Sequence, residues 1–309
     1  MEKLSIIVPC FNEESMVNTF FSKTNEIVKK IKDIKADYIF VDDGSTDKTL
    51  LLLKILHNNY DNVHFVSFSR NFGKEAALLA GLKQSDGNFV VVMDADLQDP
   101  PELISKMYRI IKEKQIDCVG TRRLDRTSEP RVRSFFSKLF YKVINKISDT
   151  DIVDGARDFR MMTRQMVDAI LDMPEVNRFS KGIFSWVGFN TEYLEYNNVE
   201  RKAGSTSWSF YKLLKYSVDG IIDFSDVPLS IASWTGFCTF ILAIIGLLGI
   251  VIRALILPNS SISGWASLIC VVLLLGGLQL LCMGIIGKYI GKIYLQSKNR
   301  PVYIIKEIK

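Results

Sequence analysis

Histidine is almost absent from this 309-residue chain, since His57 and His64 are the only two. The five cysteines are scattered, form no CxxC pair and have no histidine nearby. Zinc sites and disulfide frameworks need such residues at short, regular spacings, so the sequence argues against both. Chemistry that needs several imidazole groups is excluded for the same reason.

Several motifs of common enzyme classes are also missing. The first apolar segment, which ends at Pro9, is not followed by GxGxxG, and no GxxxxGK[ST], GxSxG or HExxH occurs in the chain. Dinucleotide oxidoreductases, P-loop NTPases, serine hydrolases and zinc peptidases therefore have no support in the sequence. The segment before Pro9 is too short for a secretion signal, so we expect the N-terminal part to stay in the cytoplasm.

Acidic residues are nearly absent from the C-terminal quarter of the chain. Residues 230–309 contain seven lysines and arginines but one acidic residue, Glu307, whereas the whole chain has a net charge of +5. The basic excess therefore lies beside the most apolar part of the sequence, which argues against nucleic acid as a partner.

Two long stretches within this quarter contain no charged residue: residues 231–252 and residues 265–287. As helices, each would be about 33 Å long, enough to cross the ~30 Å hydrocarbon core of a bilayer. Buried core helices are the alternative, but mean core helices are only about half as long. We therefore predict two transmembrane helices within residues 230–309. The basic residues after the second helix predict a cytoplasmic tail.

A shorter amphipathic segment precedes the first predicted span. Between Ser209 and Asp226, apolar side chains recur at helical spacing with lysines between them. This pattern predicts a helix over residues 209–229 that lies in the membrane interface, although an ordinary surface helix has the same pattern. A second segment, residues 135–147, fits both interpretations equally.

The first 208 residues alternate short apolar segments with segments compatible with helices. Four of the apolar segments have the length and composition of strands: 4–9, 38–41, 63–67 and 89–93. The alternation predicts an α/β domain over residues 1–208, with a Rossmann-like, mostly parallel sheet covered by helices on both faces. Ligands of such sheets bind beyond the carboxyl ends of the strands, where polar turns lie in this sequence.

Acidic residues crowd two of these turns. Asp42 and Asp43 end the second predicted strand, and Asp94 and Asp96 follow the fourth. Neighbouring carboxylates repel one another unless a cation or several donors compensate them. Asp94 and Asp96 can face one hard cation, with the carbonyl oxygen of Gln98 as a further ligand, so we predict a Mg²⁺ or Mn²⁺ site that substrate phosphates complete. Helix caps and solvated turn residues are the alternative for a lone DxD motif.

Four motifs follow one another along the chain: IIVPCFNEE at 6–14, VDDGSTD at 41–47, NFGK at 71–74 and DADLQDPPE at 94–102. Together they resemble the family 2 glycosyltransferases of the GT-A fold. The closer resemblance is to the polyprenyl-phosphate glycosyltransferases, which include dolichyl-phosphate mannose synthases and, with two C-terminal spans, bacterial bactoprenol glucosyltransferases. The resemblance extends over essentially the whole chain. The absence of QxxRW argues against a processive polysaccharide synthase.

The resemblance implies roles for individual residues. It implies a nucleotide-sugar site at Pro9, Phe11, Glu13, Asp42, Asp43, Lys74, Asp94, Ala95, Arg201 and Lys202, and a metal and diphosphate site at Asp94, Asp96 and Gln98. Asp158 matches the position of the catalytic carboxylate, which would act either as a base or as a group that orients the acceptor. The alternative is that Asp158 has no catalytic role and only forms an ion pair with Arg157 or Arg160. Arg178 lies in a segment, residues 178–182, that resembles an acceptor-side loop, which implies that Arg178 contacts the acceptor phosphate.

A strongly basic segment follows the predicted sheet strands. Residues 121–146 contain eight basic residues and two acidic ones. Because arginine forks suit phosphate oxygens, we predict that Arg122, Arg126 and Arg131 contact an acceptor phosphate. For the lysines of this segment, a solvated helix face is the alternative.

The implied reaction is the metal-dependent, inverting transfer of a hexose from a nucleoside diphosphate sugar to polyprenyl phosphate, with glucose, UDP-glucose and undecaprenyl phosphate favoured. The protein would be integral to the bacterial cytoplasmic membrane, with its catalytic domain and C-terminus in the cytoplasm. Two alternatives stay open: a non-processive transferase that uses a sugar hydroxyl of a lipid-linked glycan, and an inactive nucleotide-sugar-binding membrane scaffold. Glycines three and four residues apart between Gly284 and Gly291 favour a homo-oligomer.

Overall fold

The computed structural model describes residues 1–123, 145, 153, 155–196, 221–256 and 264–309. Its strands are β1 (Glu2–Cys10), β2 (Ile34–Asp42), β3 (Val63–Phe68), β4 (Phe89–Val92), β5 (Cys118–Arg123), β6 (Ala156–Thr163), β7 (Thr191–Tyr196) and β8 (Ile305–Ile308). Its helices are α1 (Val17–Val28), α2 (Thr49–Asn59), α3 (Lys74–Gln84), α4 (Leu103–Lys114), α5 (Arg164–Leu171), α6 (Ser180–Trp186), α7 (Val227–Ile256) and α8 (Trp265–Ser297).

These strands form one sheet in the order β7, β5, β6, β4, β1, β2, β3, β8. Strand β1 pairs in parallel with β2 and β4, and β2 pairs in parallel with β3. These four strands are the ones predicted from the sequence, so the predicted parallel sheet is confirmed. Strands β6 and β8 run antiparallel to their neighbours. The sheet is therefore parallel at its centre and contains antiparallel pairs on either side.

Helices cover both faces of the sheet, as predicted. Because successive side chains of a strand point to opposite faces, β1 contributes to two cores. Leu4, Ile6 and Val8 pack with α1, α2 and α4, whereas Ile7 packs with α3 and α5 on the other face. All four side chains are fully buried. Burial on both faces explains why the central strands are continuous apolar runs in the sequence.

The carboxyl ends of β1, β2 and β4 meet at one edge of the sheet, and hydrogen bonds join the turns there. The Asp43 amide donates to the Cys10 carbonyl at 2.9 Å. The Asn12 amide donates to Ser45 Oγ at 2.9 Å, and the Thr46 amide donates to Asn12 Oδ1 at 2.9 Å. The first two turns therefore form one bonded unit beside the turn that leaves β4.

Helices α7 and α8 contain the two uncharged stretches of the sequence. With 30 and 33 residues, they are about 45 and 50 Å long. Their segments 227–250 and 271–297 have mean hydropathies of 2.1 and 2.0 and are almost entirely unburied. Large apolar side chains such as Trp234, Phe240 and Leu280 are exposed on them. By length and composition, both helices can cross a membrane, which would cover these side chains.

The predicted domain limits stay predictions. The limit after residue 208 and most of the predicted interfacial segment lie outside the described residues, although residues 221–224 are helical. Helix α7 begins at Val227, so the predicted limit after residue 229 falls in its first turn.

After α8 the chain returns to the sheet, which the sequence did not predict. Strand β8 pairs antiparallel with β3, with Ile308 opposite Val66. The Tyr303 ring stacks on Phe68 at 4.9 Å between ring centroids. A four-residue strand is too short to show a period, which is why the pattern did not reveal it. The segment after α8 is thus anchored to the sheet.

Gly44 offers a test of the packing at the sheet edge. Its φ is +68°, and a Cβ atom there would lie 2.4 Å from the carbonyl carbon of Arg70. Gly188 has a similar φ of +72° but its Cβ would have open space, with Trp186 at 4.0 Å. Left-handed backbone costs an L-residue about 1–2 kcal/mol, so we expect Gly188→Ala to lose that much stability. Gly44→Ala should lose more, because backbone atoms block its Cβ.

Thermal unfolding of both full-length variants in detergent would measure this difference. Equal losses for the two variants would contradict the packing described for Gly44.

Candidate active site

The side chain of Lys74, the first residue of α3, lies between two carboxylates. Its Nζ is 2.7 Å from Asp94 Oδ1 and 2.5 Å from Asp158 Oδ2. The antiparallel ladder of β4 and β6 pairs Val92 with Arg160. Continued two residues past the end of β4 and two residues back along β6, this register leads to Asp94 and Asp158. The sheet therefore brings a predicted donor-site carboxylate and the predicted catalytic carboxylate to one ammonium group.

The three groups determine one another's charge. Burial alone would raise the pKa of Asp158, but Lys74, together with Lys181 and Arg157, holds that pKa well below its ordinary value. Burial would likewise lower the pKa of Lys74, but Asp158 and Asp94 raise it above its usual range. Asp158 is therefore an ionised carboxylate and a weak base at neutral pH.

Asp42 and Asp43 are buried and hold the neighbouring turns. Asp43 accepts hydrogen bonds from the amides of Phe72 at 2.6 Å and Gly73 at 2.9 Å. Asp42 accepts from a serine hydroxyl of β3 at 2.7 Å and from an amide of the turn after β2 at 3.0 Å. Burial raises the pKa of Asp43 despite its two amide donors. Asp43 therefore fixes the backbone immediately before Lys74, and the predicted nucleotide contacts of both residues stay predictions.

Pro9, Phe11 and Glu13 lie at the carboxyl end of β1 or in the turn that follows it. The Phe11 side chain is 46% exposed. The Glu13 amide donates to the Thr49 hydroxyl at 2.8 Å, which fixes this turn against α2. An exposed aromatic ring at this edge suits stacking on a planar group. The three residues thus lie at the carboxyl edge of the sheet, and their predicted role as the wall of a nucleotide pocket stays a prediction.

The turn that leaves β4 contains Asp94, Ala95 and Asp96. Ala95 is buried, and the Gln98 amide donates to Asp96 Oδ1 at 3.1 Å. In the part of the chain that the structure describes, no three His, Cys, Asp or Glu side chains gather as a metal site. The turn itself offers two carboxylates, a donor set that fits a Mg²⁺ or Mn²⁺ ion taking its other oxygens from phosphates and water. The ligand set, with Gln98 included, stays a prediction.

Arg157 is a neighbour of Asp158 that the sequence did not single out for the site. Its Nε lies 3.5 Å from Asp99 Oδ1, and the buried Asp99 also accepts a hydrogen bond from the Tyr196 hydroxyl. Burial opposes its charge, but Asp99 and Asp94 raise the pKa of Arg157. Within the described residues, Asp158 pairs with Lys74 and with neither adjacent arginine. Asp99 therefore holds the guanidinium of Arg157 close to Asp94 and Asp158.

Glu75 connects this region to the acceptor-side segment. It follows Lys74 on α3 and accepts hydrogen bonds from the amide of Ser180, at 3.0 Å, and from its hydroxyl. Burial raises the pKa of Glu75. The residue after Ser180 is Lys181, which helps to lower the pKa of Asp158. Sequence reasoning missed Glu75 because a glutamate in the first turn of a helix is common.

Two of the residues predicted to contact an acceptor phosphate are described. Arg122 is exposed on β5, 3.9 Å from Glu195. Arg178 donates to the carbonyl oxygens of Ile170 and Met173 at 3.2 and 3.1 Å. Their contacts with an acceptor stay predictions. Arg126, Arg131, Arg201 and Lys202 lie outside the described residues.

The sequence matches known proteins over nearly its whole length. Residues 5–171 match the family described as Glycosyl transferase family 2. The chain is 43% identical over 307 residues to CsbB of Bacillus subtilis, a protein named as a glycosyltransferase, with 98% of this chain and 91% of that protein covered. It is 40% identical over 311 residues to the bactoprenol glucosyl transferase of Shigella phage SfV, with 99% of both covered.

A solved structure with similarity is glucosyl-3-phosphoglycerate synthase from Mycobacterium tuberculosis. It is 18% identical, covers 72% of this chain and 78% of its own, and has a TM-score of 0.46.

Lys74→Gln would remove the cation that Asp94 and Asp158 share. Lys181 and Arg157 would remain near Asp158, but the two carboxylates would lose the cation that both contact, so we expect the full-length protein to lose stability at pH 7. The Lys74 side chain is 38% exposed, so the loss should be about 2 kcal/mol, less than for a fully buried pair. Denaturant unfolding in detergent would measure the loss.

The pH dependence of this loss has a defined sign. The pKa of Asp158 is depressed in the folded protein, so its stabilising effect is present above the unfolded carboxylate pKa and is lost as the pH falls. The difference between wild type and Lys74→Gln should therefore shrink below about pH 4. Lys83→Gln, at the exposed end of the same helix, is the control. An equal difference at pH 7 and pH 3.5 would be evidence against the shared cation.

Proposed function

Because the chain belongs to glycosyl transferase family 2 and is a glycosyltransferase, we propose that it transfers a hexose from a nucleoside diphosphate sugar to the phosphate of a polyprenol at the cytoplasmic surface of a membrane. The relatives named bactoprenol glucosyl transferases support glucose as the sugar and undecaprenyl phosphate as the acceptor. UDP-glucose is the proposed donor.

The ion pair between Lys74 and Asp158 is the main reason to propose a phosphate, and not a sugar hydroxyl, as the acceptor group. A sugar hydroxyl must give up a proton to attack, so it needs a competent base. Asp158 is a poor base because Lys74 lowers its pKa. A phosphate monoester has its second pKa near 6 and is already anionic at neutral pH, so it needs no such base. In this proposal Asp158 orients the acceptor.

The donor diphosphate gains negative charge as it leaves, and two cations are available to meet it. Lys74 and Arg157 are held by neighbouring carboxylates, so they need little rearrangement during the reaction. Arg201 and Lys202 are the proposed further contacts. A divalent ion on the carboxylates of the β4 turn would supply Lewis-acid stabilisation of the leaving diphosphate.

We infer a single in-line displacement with inversion at the anomeric carbon. An oxygen of the acceptor phosphate forms the new bond to that carbon while the bond to the donor diphosphate breaks, and the nucleoside diphosphate leaves. Asp94 and Asp158 are both bound to the ammonium of Lys74, which lowers their nucleophilicity. This supports direct attack by the acceptor over a covalent sugar on the protein.

The proposed membrane placement rests on α7 and α8. Their length and exposed apolar surface support an integral protein of the bacterial cytoplasmic membrane, with the basic tail and the catalytic sheet on the cytoplasmic side. Gln296 near the end of α8 accepts from the Val176 amide at 2.9 Å and donates to the Pro174 carbonyl at 3.0 Å. These bonds hold the acceptor-side segment against a helix that continues into the bilayer, which supports an acceptor phosphate arriving from the membrane surface.

Membranes that contain the full chain should transfer label from UDP-glucose to undecaprenyl phosphate but not to undecaprenol. The phosphate is the reason, because it can attack without a strong base. Extraction of labelled lipid into organic solvent would measure the product, and a panel of other labelled nucleotide sugars would identify the preferred sugar. Transfer to undecaprenol, or label found only in a lipid-linked glycan, would contradict the proposed acceptor. A retained anomeric configuration would contradict direct displacement.

Asp96→Asn should lower the transfer rate by about 100-fold or more, because the amide gives up the negative charge that would hold a divalent ion. Excess chelator should have a similar effect, and added Mg²⁺ or Mn²⁺ should reverse it. The control is Asp61→Asn, in an exposed turn before β3, which should keep the wild-type rate. Full activity of Asp96→Asn, or of the wild type in excess chelator, would remove the metal from the proposal.

A further inference from the structure

A cavity of about 430 Å³ lies at the junction between α8 and the catalytic sheet. Its walls come from the start of α3, the segment before α6, the last turns of α8 and the residues that lead to β8. Neither Lys74 nor Asp158 lines it, whereas Arg178, a predicted acceptor contact, does, so the cavity lies beside the candidate active site and shares one residue with it. Its size lies within the range of ordinary small-molecule sites.

The charged side chains of this junction cavity are mostly basic. The basic ones are Arg70, Arg178, Lys292, Lys298 and Arg300, and the acidic ones are Glu75 and Asp223. Lys292 pairs with Asp223 at 3.1 Å, and Glu75 is bonded to Ser180. The cavity therefore has more positive charge than its own carboxylates compensate.

Three of the other four cations contact neutral groups. The guanidinium of Arg70 lies over the Phe72 ring at 4.1 Å, and the Lys298 ammonium lies 4.1 Å from the Tyr294 ring. Arg178 donates to two backbone carbonyls. Within the described ranges, none of these three, nor Arg300, forms a salt bridge. Burial lowers the pKa of Arg178 although Glu175 and Glu75 oppose the shift, so this guanidinium still gains from an added anion.

Most of the remaining wall of the junction cavity is apolar. Leu295, Val176, Pro301 and Val302 contribute to it. Anions that are simply hydrated do not need such a surface, whereas an amphiphile places its charged head against the cations and its apolar part against these side chains. The lining therefore fits a headgroup that is attached to an apolar chain.

The position of the junction cavity along α8 also favours a lipid headgroup as its ligand. The uncharged stretch of this helix ends at Gly287. Lys292 and Leu295 follow by five and eight residues, which is about 8–12 Å along the helix axis. A bilayer has about 5–8 Å of headgroup region outside its hydrocarbon core on each side. If the uncharged stretch spans the hydrocarbon core as proposed, these cavity residues lie at the outer edge of the headgroup region, within reach of lipid phosphates.

We propose that the junction cavity binds the phosphate headgroup of an anionic phospholipid from the cytoplasmic leaflet, beside the groups that transfer the sugar. The proposal goes beyond sugar transfer and rests on the membrane placement of α8. Arginine and lysine near a bilayer surface favour anionic over zwitterionic lipid. Glu75 lines the cavity and is adjacent to Lys74 in the chain, so bound lipid would also support the segment on which the active site rests.

Binding of phosphatidylglycerol to the purified full chain, measured by native mass spectrometry in detergent, tests the proposal without any nucleotide sugar. The double variant Lys298→Gln/Arg300→Gln removes two exposed cations of the cavity. We expect it to bind phosphatidylglycerol about tenfold or more weakly than the wild type. The matched control is Lys306→Gln/Lys309→Gln, which removes two cations from the same tail outside the cavity and should bind within about twofold of the wild type.

Two further measurements separate the sources of the phosphate. Phosphatidylcholine in place of phosphatidylglycerol should bind weakly to all three proteins, and inorganic phosphate at millimolar concentration should not displace phosphatidylglycerol from the wild type. Displacement by inorganic phosphate would overturn the lipid assignment in favour of a free anion. Loss of undecaprenyl phosphate binding in the cavity variant, with phosphatidylglycerol binding unchanged, would overturn it in favour of the acceptor. Equal phosphatidylglycerol binding by all three proteins would also overturn it.

Because these measurements record lipid binding alone, their failure leaves the transfer assay unaffected. A failed transfer assay likewise leaves the lipid-binding result intact.

Discussion

The ammonium of Lys74 is the contact on which the site depends. Asp94 follows β4 and Asp158 lies in β6, and the two carboxylates contact the same ammonium group. They would repel each other without it, and this cation helps both to remain ionised. Its position is imposed by the backbone, because Asp43 holds the amide of Gly73 and the turn packs closely against Gly44. The electrostatics of the site therefore rest on packing at the carboxyl edge of the sheet.

A continuous series of contacts runs from the apolar helix α8 to this cation. Gln296 holds the segment around Val176, the segment continues to Ser180, and Ser180 is bonded to Glu75 beside Lys74. The catalytic region is therefore packed directly against the helix proposed to enter the bilayer. For an enzyme whose acceptor would be a lipid phosphate, this arrangement avoids a flexible linker between the membrane and the reacting groups.

The centre of the sheet could be predicted because parallel strands buried on both faces are continuous apolar runs. Strand β6 could not, because Arg157, Asp158 and Arg160 interrupt its apolar pattern with side chains that serve the site or the core. Motif resemblance selected Asp94 and Asp158 separately. The bond between Lys74 and Asp158 joins residues 84 positions apart and depends on an antiparallel register, which local pattern does not encode. The pairing of β8 with β3 was beyond prediction for the same reason.

Strand β8 has a consequence for how the protein is made. A chain is synthesised from its N-terminus, so β3 remains an open edge of the sheet until both apolar helices and the segment after them have left the ribosome. An unpaired edge strand is a site for unwanted pairing with other chains. The sheet can therefore be completed only after both apolar helices have been synthesised. Strand β8 then pairs with β3 and closes the open edge.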